Sequence, residues 1–228
     1  MVSPPSQTAD ERLATEPRWP VALALGTFIA ISVALRIAVP HRESLGPHWL
    51  LPGIETGLLV CLILADPAHV VGRRRWLRRI SIVLVLALLA AMLLSTAILI
   101  RDLIIGGKVT NQASSLLASG AVIWLGNVLA FSLVYWLFDG GGPLGRYLRE
   151  RPYPDFAFSQ QLSPELAPPN WRPRYVDYLI LGFTTSTAFS PTDVMPMKAW
   201  AKLTMALQSI VSLIVVGLVI ARAVNVFS

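Results

Sequence analysis

Two stretches of this chain dictate where it can live. Residues 80–100 carry no charge over 21 positions, and residues 113–138 carry none over 26. A helix needs about 20 apolar residues to cross the roughly 30 Å hydrocarbon core of a bilayer, so each run is long enough to span. Two apolar segments come before them. Residues 19–39 are broken only by Arg36 near their end, and residues 49–65 contain Glu55. A last run, 203–221, is charge-free over 19 positions, and its helix is predicted over about 200–224. Five of the seven tryptophans (Trp19, Trp49, Trp136, Trp171, Trp200) stand where apolar runs begin or end, as in an interfacial aromatic belt.

Composition excludes the alternatives. The chain is 54% hydrophobic and 14% charged, whereas a soluble domain carries about 25% charged residues. That balance excludes a water-soluble globule and a disordered chain. The expected class is all-α, a multi-pass transmembrane bundle of four helices with a short pore-type helix and a long final helix. Residues 1–18 read as a disordered cytoplasmic tail, 19–138 as the four-helix region, 139–174 as a Pro/Gly/Arg-rich cytoplasmic linker, and 175–228 as a pore-loop-like module. The linker has three consecutive glycines, Gly140 to Gly142, and then seven prolines between Pro143 and Pro173. That density of breakers predicts irregular chain, with at most one amphipathic turn around 146–150.

The net charge of +6 reads as topology rather than as affinity for nucleic acid, because the positives sit between apolar runs. Arg73, Arg74, Arg75, Arg78 and Arg79 form one cluster; Arg146, Arg149, Arg151, Arg172 and Arg174 form another. Basic loops stay cytoplasmic. The expected placement is the plasma (inner) membrane with an inward amino terminus; residues 175–189 then either make a short fifth crossing, giving six membrane helices with both termini cytoplasmic, or dip in from the cytoplasm. The arginine clusters are then cytoplasmic anchors, with anionic headgroups as a further ligand class.

Residues 175–198 carry most of the functional information. A short apolar stretch ends in Thr184, Thr185, Ser186 and Thr187; Pro191 and Pro196 stop helix formation; a charge-poor helix follows. A half-length helix cannot span, and irregular backbone at membrane depth is tolerated only against protein or a wet cavity. This order resembles the pore helix, filter and inner helix of potassium channels. It more closely resembles a bacterial multi-pass family without an assigned activity, domain of unknown function 1345. The likeness rests on Tyr-x-x-Phe-Thr around Tyr178 to Thr184, on Phe189, on the pair Asp193 and Val194, and on a final helix of small and aliphatic residues. It implies a pore-type module whose filter-like residues are Thr184, Thr185, Thr187, Ala188, Phe189, Ser190, Pro191, Thr192 and Asp193.

The departures from a filter are as informative. Aligned carbonyls replace an ion's water in a Thr-Val-Gly-Tyr-Gly strand. Here Ser190 and Thr192 stand in place of both glycines, and Pro191 stiffens the turn between them. The hydroxyls of 184–187 either line a path or bond back to helix carbonyls. Glu55 is an intramembrane carboxylate, a site candidate by default, or else it reaches the interface or pairs with Arg36. Thr204, Gln208 and Ser212 share one face of the final helix, either as packing or as a water-lined stripe. Asn127 reads as an interhelical hydrogen-bonding residue and Gly126 with Ala130 as a small-residue contact. Asp193 either lines the mouth or caps the last helix.

No catalytic residue, metal site or cofactor is expected. The three histidines lie in or near separate loops, Cys61 is mid-segment, and no nucleophile or metalloprotease motif appears. The expected function is channel-like: one copy supplies too few walls for a pore, so a homo-oligomer in the lipid bilayer would carry monovalent cations with weak selectivity. The rivals are a non-conducting scaffold or accessory subunit and a small-solute transporter.

Overall fold

The computed structural model describes residues 19–38, 57, 74–105, 113–148, 151–187 and 194–227. Four long helices dominate: α1 (Trp19–Ala38), α2 (Arg74–Ile105), α3 (Ala113–Phe138) and, at the end of the chain, a 29-residue helix at Ala199–Phe227. Among the described residues, three helices are long and apolar enough to cross a membrane, over Arg78–Ile105, Leu116–Gly141 and Ala199–Val224. The protein is therefore a helical membrane protein. The second expected span, with Glu55, lies outside the described residues, as do Arg73 and 188–193.

α3 is the central helix. Residues 126–137 are buried apart from Leu129, so this helix is enclosed by protein on nearly all sides. Gly126 lets two side chains lie close over α3. A Cβ there would sit 2.5 Å from Met92 Sδ and 2.8 Å from Phe28 Cζ, so both side chains would have to shift. One turn of polar bonding accompanies the contact: Asn127 Nδ2 donates to Thr96 Oγ1 at 2.9 Å, as expected for an interhelical role.

Between α3 and the last helix the described residues form several short regular elements, where sequence predicted irregular chain over 139–174. A 3-10 turn (Asp139–Gly141) leads into α4 (Gly142–Leu148), then β1 (Phe156–Phe158), α5 (Ser159–Leu162), a second 3-10 turn (Pro164–Leu166) and α6 (Tyr175–Ser186). The glycines reverse the chain rather than loosening it. Gly140, Gly141 and Gly142 have φ of 58°, 87° and 87°, a region that L-residues avoid. The helical turn expected around 146–150 starts earlier, at Gly142. β2 (Val194–Pro196) pairs antiparallel with β1, with Phe156 opposite Pro196 and Phe158 opposite Val194. The final helix is α7 (Ala199–Phe227).

Cross-contacts set the directions. The rings of Trp136 and Tyr175 are 5.9 Å apart and those of Phe138 and Trp200 are 6.1 Å apart. The end of α3, the start of α6 and the start of α7 therefore share one level. Deeper in, Trp124 Nε1 donates to Ser212 Oγ at 2.6 Å, and Ser212 Oγ donates to Ser186 O at 2.6 Å. α6 and α7 thus run parallel to each other and antiparallel to α3. Of the two courses open for 175–189, a short crossing and a dip, the directions of α6 and α7 match the dip. The chain enters along α6, and by β2 it is back at the level where α6 began. A side chain at Gly142 would meet Arg78 Nε at 3.9 Å, so Arg78, at the start of α2, also lies at this end, as do Arg146 and Arg151.

Candidate functional site

The site has two layers, one at the end of α6 and one, called the mouth, at its start. α6 has 12 residues and rises about 18 Å, which is well short of a bilayer core. Its last carbonyls have no partner within the helix. In hydrocarbon each such group costs several kcal/mol unless protein satisfies it. The stripe on α7 does this. Gln208 Nε2 donates to Gly182 O at 2.8 Å and to Ser186 Oγ at 2.7 Å, Ser209 Oγ donates to Thr185 O at 3.2 Å, and Ser212 takes Ser186 O. Tyr135 of α3 completes the layer by donating to Gln208 Oε1 at 2.6 Å. Gln208 and Ser212 are fully enclosed, and Thr204 donates to Trp200 O at 2.7 Å. The expected stripe exists, and it serves packing.

The hydroxyls of the filter-like segment divide. Thr184 Oγ1 donates to Ile180 O at 2.9 Å and Thr187 Oγ1 to Thr184 O at 3.0 Å, the backward bonding weighed from sequence. Ser186 Oγ accepts from Gln208. Thr185 is buried, and its hydroxyl has no hydrogen-bond partner among the described residues. Ala188, Phe189, Ser190, Pro191, Thr192 and Asp193 lie outside the described residues. The side chains of Arg74 and Arg75 are likewise undescribed, while Arg78 and Arg79 are exposed at the start of α2.

The mouth holds a polar cluster that sequence reasoning missed. Asp139, at the end of α3, is 1% exposed. Its Oδ1 accepts the backbone N–H of Asp155 at 3.0 Å and of Phe156 at 3.2 Å; its Oδ2 accepts from the Tyr178 hydroxyl on α6. Asp155 answers in kind. Its Oδ2 accepts the Gly140 N–H at 3.0 Å and Arg151 Nη1 at 3.1 Å, and its Oδ1 pairs with Lys198 Nζ just before α7. Arg146 Nη1 donates to Trp136 O at 2.6 Å and Asp139 O at 3.0 Å, and its guanidinium lies 4.9 Å from the centre of the Tyr178 ring. Around these charges Phe156 packs against Tyr135, Tyr178 and Trp200, and Phe158 against Trp171 and Tyr178. Asp177 caps α6: its Oδ2 accepts the Arg174 N–H at 2.6 Å.

The sequence signal for the mouth was present but indirect. Asp139 follows a 26-residue charge-free run and precedes three glycines, and Asp155 opens an alternating Phe-Ala-Phe. Among the described residues no group of His, Cys, Asp and Glu is placed to hold a metal ion. In comparisons with protein-family models, curated proteins and solved structures, nothing matches the chain.

Proposed function

We propose that this is a channel-like membrane protein in which α6, the segment after it and α7 form a re-entrant module, assembled as a homo-oligomer with a degenerate filter. The observation that carries the reading is the parallel course of α6 and α7 from one level, with β2 back beside β1. A half-helix that enters and leaves on one side brings its carboxyl end, and so the negative end of its dipole, to mid-membrane. Monovalent cations are the ions such an arrangement favours. The resemblance to pore-loop channels and to domain of unknown function 1345 supports the same reading.

Orientation follows from charge. With Arg78, Arg146 and Arg151 at the mouth, the positive-inside rule favours a cytoplasmic mouth. On this reading α7 starts inside and ends outside, in contrast to the expectation of two cytoplasmic termini, and the inner membrane of a bacterium is the placement it fits.

Bilayer recordings under a potassium–sodium gradient test the function. Expected is a weakly selective cation current, reduced in preference by Asp193→Asn, with a reversal potential far from the potassium equilibrium value. A reversal potential close to that value would overturn the degenerate filter. One observation favours a non-conducting scaffold as a second reading: the carbonyls of Gly182, Thr185 and Ser186 are all occupied by α7 side chains rather than left for ions. A folded oligomer that passes no current above the protein-free baseline would establish that reading.

A further inference from the structure

The mouth cluster joins three parts of the chain that are far apart in sequence: the end of α3, residues 151–158, and the stretch from β2 into α7. The joints are reciprocal. Asp139 accepts the backbone N–H of Asp155, and Asp155 accepts the backbone N–H of Gly140, so each carboxylate anchors the backbone at or beside the other. The same segment then takes hold of the start of α7 twice. Met197 N–H donates to Asp155 O at 2.9 Å, and Lys198 pairs with the Asp155 carboxylate. β1 beside β2 makes a third grip.

The bonds differ in how they meet water. The Asp155 side chain is 0% exposed, whereas Arg151 and Lys198 are 46% and 40% exposed. The inner bonds, from backbone N–H groups to carboxylates, are sealed. The outer bonds, from the two cations, are open to the aqueous side. A buried carboxylate that loses a cation is costly, so the outer pair matters although it is half in solvent.

We propose that residues 151–158 are a strap across the mouth of the module, with Asp139 and Asp155 as its positioning residues and Lys198 as its releasable end. The sealed bonds hold the strap to α3 whatever happens at Lys198. Breaking the Lys198 pair loosens β2 and the first turn of α7 from β1 without unfolding the helices. The strap is thus a device by which events at the aqueous face change the position of the start of α7. It stands whether or not the module conducts.

Hydrogen exchange on the full chain in lipid nanodiscs tests it. In Lys198→Met, amides of 156–158 and 194–197 are expected to exchange faster by about tenfold or more, while α2 and α3 keep wild-type protection. Lys198→Arg, which restores the charge, is expected to return exchange at these positions to within about threefold of wild type. Salt supplies a readout that simple packing loss would not move. Raising ionic strength from about 0.05 to 1 M should speed exchange at 194–197 in wild type, since exposed charges are screened, and should have little effect in Lys198→Met. Unchanged exchange in Lys198→Met would overturn the strap. So would loss of protection spread equally over α3 and α7, or failure of Lys198→Arg to restore it.

Discussion

Asp139 is a carboxylate at the end of a membrane helix, a place where water would ordinarily satisfy the last carbonyls. Here the chain folds back and supplies three donors to it. Hydrogen bonds to a charged group contribute about 1.5–3 kcal/mol each. Tyr178→Phe, which removes one donor and keeps the ring, is expected to destabilise by about that amount. Asp139→Ala strands all three donors and is expected to cost more. Thermal unfolding in mild detergent ranks the two. Gly142→Ala is a backbone counterpart. With φ of 87° and Leu137 O only 2.8 Å from where a Cβ would sit, it is expected to destabilise by about 1 kcal/mol or more, read as a lower unfolding midpoint in the same assay. At this scale the sequence was partly legible. The backward bonds of Thr184 and Thr187 and the partner role of Asn127 follow from local or one-helix reasoning. The pairing of Asp139 with residues 155 and 156 does not, because it spans a proline-rich run with no period to read.

Among the elements, α3 occupies Ala113–Phe138, the charge-free run itself, and α7 runs a little past both predicted ends. Long apolar helices declare themselves because their length is set by the bilayer. α2 exceeds its run, taking in arginines at both ends, since charged side chains tolerate a helix that projects past the hydrocarbon. The order of 139–174 was hidden for the opposite reason. β1 is three residues long and exists only because β2 lies beside it. The polar stripe on α7 was visible as a face, but its purpose emerged only with α6 against it. Gln208→Leu keeps the volume and removes three hydrogen bonds, leaving Gly182 O, Ser186 Oγ and the Tyr135 hydroxyl without that partner. Faster hydrogen exchange is expected within 182–187, with 156–158 unaffected. Equal protection in variant and wild type would mean that α6 holds its end without α7.

For the molecule as a whole, topology is the quantity most open to measurement. In a background lacking Cys61, cysteines at Ser159 and Arg79 are expected to label from the same side of the membrane with an impermeant thiol reagent, and one at Ser228 from the other. Labelling of Ser228 and Ser159 from one side would contradict the parallel course of α6 and α7. That course also bears on synthesis. A nascent chain leaves the ribosome amino end first, and α6 emerges before α7. Yet α6 is too short to span, and the groups that satisfy its carboxyl end, Gln208, Ser209 and Ser212, sit on α7. If α6 is re-entrant as proposed, it is expected to wait at the bilayer surface until those residues arrive. Its insertion is therefore late and coupled to that of the helix after it. A chain ending at Lys198 should leave a cysteine at Gly182 accessible to the aqueous reagent, while the full chain should bury it.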